Sequence, residues 1–310
     1  MKLLQLVSLS RRFKTFLVMV GAIAPAIGGI QPAHAQSEPA FLWTVESSNN
    51  TVYLLGSVHL LRPTDYPLPQ PVQDAFDDAE YLIFEVDFDD LNSINTQSLL
   101  LDAALPEQPE ETFQAALSPD VYQLAENAAS EVNLPISMFD RFEPWFFSIL
   151  MPSVHLLNLG FDPSYGVDPY LFNAAQEAGK PISAFETVEQ QISFFDDLSI
   201  RTQTTLVEQT IRELETMESS FNILIDAWRS GDVDTFEPLI LESFNAYPDV
   251  YDVLLRQRNQ RWLPTIESLI DQSNDFLIVV GAAHLVGPDG LVQLLQQSGY
   301  SVEQVEQNEI

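Results

Sequence analysis

The segment VYLLGSVH, Val52 to His59, decides how the rest of the chain is read. It is a run of Val, Tyr and Leu that ends in Gly-x-x-His, the pattern of a buried strand that delivers an imidazole at its carboxyl end. The same pattern returns far downstream as LIVVGAAH, Leu277 to His284. Open α/β sheets bind ligands beyond the carboxyl ends of their strands, so two such endings suggest one site.

Working outward, Phe41–Val45 and Thr51–Val58 flank the polar cluster Ser47 to Asn50, which predicts a β-hairpin. The Pro-rich stretch from Arg62 to Pro69 reads as a loop over the strand end. A helix from about Pro71 to Ala79 then leads to YLIFEVD, Tyr81 to Asp87, a strand apolar enough to be buried. From Leu91 to Ala178 the apolar period is helical. Ser118-Pro119-Asp120 is an N-cap followed by Pro, and Asp168-Pro169 repeats the device before Tyr170 to Ala178. Ile182 to Phe185 is a short strand with Glu186 at its exit. Residues 200 to 230 read as one long amphipathic helix, with further helices over 232–244 and 249–270. Phe276 to Val280 is a strand, Pro288 to Gln297 a helix, and Tyr300 to Val305 a final strand.

The expected fold is therefore mixed α/β. A central sheet takes strands from both ends of the chain, and a large insertion, about residues 90–275, is mostly helical with one short strand.

The first 35 residues stand apart. Lys2, Arg11, Arg12 and Lys14 precede an apolar run from Phe16 to Ile30 that is interrupted by Pro25, and Ala33-His34-Ala35 has the small-x-small form of a cleavage site. This predicts a secretory signal peptide cut after Ala35, leaving residues 36–310 as a single domain in the periplasm or outside the cell. The run is too short and broken for a membrane span. The chain contains no cysteine, so an exported form holds its fold without disulfides. Four of the thirteen basic residues and none of the 45 acidic ones fall in the leader, which leaves nine against 45, a net charge of −36. Such a chain lacks the basic clusters that nucleic acid or anionic lipid requires.

Four histidines occur, and His34 leaves with the leader. His59 and His284 each follow a strand and a glycine. Either could be a polar strand end satisfied by backbone, but Glu85 sits within YLIFEVD, where a carboxylate is costly to bury unless paired, hydrogen-bonded or metal-bound. Arg258 is a candidate partner, and Asp87 follows Glu85 on the same face by period two. His59, Glu85 and His284 supply the donor types that bind Mn²⁺, Co²⁺ or Zn²⁺. A bound ion would lower the pKa of its water and polarise a carbonyl, with Glu85 or Glu186 moving the proton. Ser57 is too close to His59 along the strand to pair with it as a nucleophile. His155 lies in an aromatic-rich apolar helix and reads as a core or interface residue.

At these residues the chain resembles the TraB/PrgY/GumN family, whose animal relatives are the Tiki metalloproteases and whose fold is likened to the erythromycin esterase and ChaN group. The resemblance runs through FLWTVESSNNTVYLLGSVH, IFEVD, GVDPYLFNAAQEAGKPISAFETVEQQ with Gly166, Asp168 and Glu186, LLRQRNQRW with Arg258 and Asn259, and VVGAAHLVGPDGLVQLLQQSGYSV. It implies an exported, divalent-metal-dependent, peptidase-like hydrolase centred on the two Gly-x-x-His histidines and the acidic strand, with Arg258 stabilising negative charge. The expectation is thus a hydrolase of peptide bonds with His59, Glu85 and His284 as metal ligands, and Glu85, Glu186 and Arg258 as catalytic groups. The alternatives are a non-enzymatic protein that holds a peptide or cofactor in the same cleft, and a metal-free ester hydrolase.

Overall fold

The computed structural model describes residues 39–91, 94–244 and 247–306. The expected leader and its expected cleavage site lie outside them. The strands are β1 (Leu42–Glu46), β2 (Thr51–Ser57), β3 (Tyr81–Val86), β4 (Ile182–Glu186), β5 (Phe276–Gly281) and β6 (Glu303–Gln304). They form one sheet in the order β4-β3-β5-β2-β1-β6. The four strands β4, β3, β5 and β2 run parallel, while β1 pairs antiparallel with both β2 and β6.

This is the mixed sheet expected from strands at both ends of the chain. β5 returns from far downstream to lie between β3 and β2, with Ser57 opposite Gly281 and Phe84 opposite Val279. The carboxyl ends of four parallel strands therefore meet at one edge. β2, β3 and β5 are apolar and buried almost throughout because both faces of this part of the sheet are covered.

The longer helices are α1 (Gln70–Asp78), α2 (Ile94–Ala103), α3 (Pro119–Glu131), α4 (Pro144–Asn158), α5 (Val167–Ala178), α6 (Val188–Asp196), α7 (Ile200–Leu214), α8 (Met217–Arg229), α9 (Val233–Phe244), α10 (Gln257–Ile270) and α11 (Leu291–Gln297). Two cores result. One holds the sheet with α1, α5, α8 and α10, and the other lies within the helices around Phe113, Phe139, Trp145 and Phe147. No helix among the described residues is long and apolar enough to cross a membrane.

Four local expectations need correction. Residues 200–230 form two helices, α7 and α8, broken at Glu215-Thr216, because Val207 and Leu214 pack into the helical core whereas Ile225 and Trp228 pack onto the sheet. The last strand shortens to Glu303–Gln304, and α11 begins at Leu291 after Gly290. Asp168 is not an N-cap: Gly166 caps α5, and Val167 N–H donates to the Val58 carbonyl at 3.0 Å, leaving the Asp168 side chain free for other partners. Ser118, by contrast, caps α3 as expected, accepting from Val121 N–H.

Gly56 in β2 shows how tightly the strand ends pack. A Cβ there would lie 2.5 Å from Phe41 Cδ1 and 3.0 Å from Ala282 Cα, and its carbonyl already accepts from Trp228 Nε1 at 2.6 Å. Gly56→Val is expected to cost roughly 3 kcal/mol, the upper end of overpacking penalties, because one of its clashes is with backbone. Urea unfolding checks this, and an unchanged midpoint would contradict it.

Candidate active site at the strand ends

His59 leaves β2 and turns its ring toward the sheet edge. Its Nδ1 lies 2.9 Å from Asp168 Oδ2, and the other Asp168 oxygen accepts from Ser57 Oγ at 2.7 Å. Asp168 is buried while 60% of the His59 side chain is exposed, so a fixed carboxylate anchors a ring whose Nε2 faces open space. The Asp168 charge, with its hydrogen bond to the ring, holds the His59 pKa up at about 9. Ser57 and His59 do not pair with each other; they share Asp168.

Glu85 projects from β3 at the same edge. Its Oε1 accepts from Gly281 N–H at 2.6 Å and its Oε2 is paired with Arg258 Nη2. Burial alone pushes this carboxyl up, but Arg258, aided by the two histidines and the Gly281 amide, brings it down to about 2. Glu186, at the end of β4, accepts from Arg258 Nε at 3.1 Å, from Nη2 at 2.8 Å and from Trp262 Nε1 at 3.1 Å. It stands behind Arg258 and is not among the residues that line the cavity described below.

Arg258 opens out from the start of α10, directly after a π-helical turn at Asp252–Arg256. That wider turn leaves a carbonyl, Leu254 O, to accept from Arg258 Nη1 at 3.2 Å. The guanidinium thus spans Glu85, Glu186 and His284, with its Cζ 4.8 Å from the Trp262 ring. One planar fork with five donors can do this and an ammonium cannot.

His284 follows β5 in a single 3₁₀ turn and is buried. Asn259 Nδ2 donates to the carbonyls of His284 and Asp289, at 3.0 and 2.8 Å, so its Oδ1, 2.7 Å from His284 Nδ1, must accept. The proton therefore sits on Nδ1, and Nε2 offers its lone pair to Arg258 Nη1 at 3.0 Å. Burial, only partly offset by Glu85, lowers the His284 pKa to about 3 and keeps the ring neutral.

The three expected ligands converge. A Cβ built on Gly281 would lie 3.3 Å from Glu85 Oε1, 3.5 Å from His59 Nε2 and 3.7 Å from His284 Cδ2, so only glycine leaves that point open. Two imidazoles and a carboxylate around one gap fit a divalent ion in donor type. In the arrangement seen, Arg258 engages Glu85 and His284, and among the described residues no group of three or more His, Asp or Glu side chains is assembled as an ion-binding cluster. Asp87 does not join: it lies past the end of β3 and accepts from Asp89 N–H, capping a short helical turn. His155 is half-buried in the last turn of α4 and does not line the cavity.

These groups form the floor of a cavity of about 420 Å³ whose walls come from the helical insertion. Asp168, Asn259 and Trp262 stand in the motifs that carry the family resemblance, but what they position is not legible in the sequence. Asp168 sits in what reads as a capping motif, and its distance of 109 residues from His59 closes only in three dimensions.

Comparison with known proteins identifies the family. The model of the TraB/PrgY/gumN family matches residues 41–304. The uncharacterized protein YbaP of Escherichia coli (strain K12) is 24% identical over 248 residues, 80% of this chain and 89% of YbaP. A metalloprotease TIKI homolog of Amphimedon queenslandica is 22% identical, covering 93% of this chain and 66% of the relative. Metalloprotease TIKI2 of Xenopus tropicalis is 23% identical, covering 88% and 61%. The alignments thus span about two thirds or less of these two TIKI proteins. No solved structure matches the chain significantly. With the family model covering both histidine strands, the acidic strand and the helix that carries Arg258, the chain belongs to the TraB/PrgY/gumN family.

Proposed function

We propose that this protein is a metal-dependent hydrolase of peptide bonds that works outside the cytoplasm. The observation that carries the reading is the convergence of Glu85 Oε1, His59 Nε2 and the His284 ring on the gap above Gly281, at the floor of the cavity. The metalloprotease names of the TIKI relatives support the same class. His59, Glu85 and His284 are the residues that would hold Mn²⁺, Co²⁺ or Zn²⁺, and a bound ion supplies a Lewis acid and a water of lowered pKa.

The chain's own groups do the remaining work. Asp168 fixes the His59 ring so that Nε2 faces the cavity, and Asn259 fixes the His284 tautomer with its lone pair on Nε2. Arg258 supplies fixed positive charge where a carbonyl oxygen gains negative charge. Glu85 is the carboxylate positioned to take a proton at the floor, and Glu186 holds Arg258 in register with Trp262. With a substrate seated against them, the apolar walls would exclude water from the floor.

A second reading is favoured by Arg258 itself. Because the guanidinium already joins Glu85 to His284, it could serve as the electrophile while His59, backed by Asp168, acts as base on water in its neutral form, which is a metal-free hydrolase. Its rate would rise toward alkaline pH because the His59 pKa is held up at about 9. Chelator treatment separates the two. Peptide hydrolysis by the purified protein is expected to fall at least tenfold with chelator, to return with Mn²⁺ or Co²⁺, and to vanish in His59→Ala and His284→Ala. Hydrolysis indifferent to chelator and to added metal would favour the second reading, and no hydrolysis of any peptide would leave a binding protein.

A further inference from the structure

We infer that the cavity above the catalytic floor is a specificity pocket for one bulky apolar side chain of the substrate, aromatic or leucine-like, next to the bond that is broken. The inference rests on the proposed hydrolase reading and names its substrate class.

The walls come from separate elements of the insertion: Phe194 and Phe195 on α6, Phe221 and Leu224 on α8, Ile240 on α9 and Leu255 in the π-helical turn. Gln191 is the one polar side chain among the described wall residues, and the charged groups of the lining are confined to the floor. That segregation is pronounced in a chain with 45 acidic residues. Phe194, Phe195, Phe221, Leu224 and Ile240 are only partly buried, so they present unmatched apolar surface to the cavity. Apolar surface left exposed to solvent is stabilised when a ligand covers it.

Size and placement narrow the occupant further. A volume of about 420 Å³ admits a phenylalanine or leucine side chain together with the backbone on either side of it. The floor and the wall are continuous, because His59, Glu85 and Arg258 line the same space as Phe194 and Leu255. A substrate carbonyl over the gap at Gly281 therefore places a neighbouring side chain against the wall. Acidic side chains are disfavoured by the apolar wall, where the nearby Arg258 and Arg261 are stacked on Phe194 and Arg258 is already paired with Glu85 and Glu186, and by the net charge of the chain.

The test uses the purified full protein and a set of quenched fluorescent peptides that differ only at the two residues flanking the cleaved bond: Phe, Leu, Ala or Asp. The expected result is a kcat/KM about 10- to 100-fold higher for Phe or Leu than for Ala, the discrimination that burying such a side chain supplies. Peptides with Asp should be the poorest. In Leu224→Asp and Ile240→Asp the ratio of Phe to Ala rates should collapse to a few-fold. In Ile240→Phe, which narrows the pocket without a charge and guards against misfolding of the others, preference should move from Phe toward Ala. Cleavage with equal rates for Phe, Ala and Asp would overturn the pocket while leaving the hydrolase reading intact. If nothing is cleaved, calorimetric binding of N-methylated, uncleavable versions of the same peptides decides. Selective binding of the Phe and Leu forms sustains the pocket although the hydrolase reading fails, and absence of selective binding overturns the pocket too. Preferential binding of a fatty-acyl amide over all the peptides would overturn it in favour of a lipid substrate.

Discussion

Arg258→Met is expected to lower the unfolding free energy by about 3–5 kcal/mol at neutral pH, because it strands Glu85 and Glu186 in a buried site without their shared cation. Methionine keeps much of the side-chain volume, so the loss reports charge and hydrogen bonding more than a cavity. In the wild type Glu85 is held near 2 in the fold against 4.5 unfolded. A depressed carboxylate contributes stability that is complete above the unfolded value and fades as pH falls through the folded one. In the variant the sign reverses. Burial without Arg258 pushes Glu85 above its ordinary range, and taking up a proton then relieves the folded state. The gap between wild type and variant should therefore narrow as pH is lowered from about 7.5 to 5. Urea unfolding at the two pH values measures it, and a gap that is small at pH 7.5 or grows in acid would contradict the shared-cation account. Activity should be lost in the same variant under either reading of the chemistry.

Glu85→Gln is expected to reduce peptide hydrolysis by about 10²- to 10⁴-fold, the range for removal of a positioned proton-transfer group. Its effect on folding should be far smaller than that of Arg258→Met. The amide oxygen can still accept from Gly281 N–H, and Arg258 retains Glu186. Glu186→Gln provides the contrast. Glu186 does not line the cavity, so its loss should act through the placement of Arg258, with a drop in rate well below that of Glu85→Gln. Kinetics on one peptide substrate, with thermal unfolding of each variant, checks the pair. Equal losses in both variants would move Glu186 into the chemistry, and a fully active Glu85→Gln would remove Glu85 from it.

Much of the architecture is legible in the sequence alone. Strands such as LLGSV and LIVVG announce themselves because a strand buried on both faces must be apolar at nearly every position. Ser118-Pro119 marked a helix start because capping is a local matter, settled within four residues. Sequence pattern and structure part where local and tertiary demands compete. The break between α7 and α8 is invisible in an amphipathic pattern that runs through it, since each half satisfies the helical period and only the position of two separate cores separates them. Asp168 looks like a cap because Asp before Pro is a common cap, and its carboxylate instead serves His59 because Gly166 and the Val58 carbonyl had already settled the start of α5.

The sequence by itself determined that two imidazoles and a buried carboxylate arrive at strand ends, because the spacing of Gly-x-x-His and the polarity of Glu85 are properties of single strands. It also determined the class of fold, since strands at both termini with helices between them leave few sheets to build. Tertiary structure alone decided what surrounds those groups. Insertion of β5 between β3 and β2 brings Gly281 beneath Glu85 and His59, and a π-helical turn aims Arg258, 173 residues from Glu85, between the carboxylates and His284. Those outcomes depend on long-range register and on which helix covers which face, and no local pattern encodes either. The opening site at VYLLGSVH is therefore a histidine chosen by its strand and a chemical environment chosen by the fold.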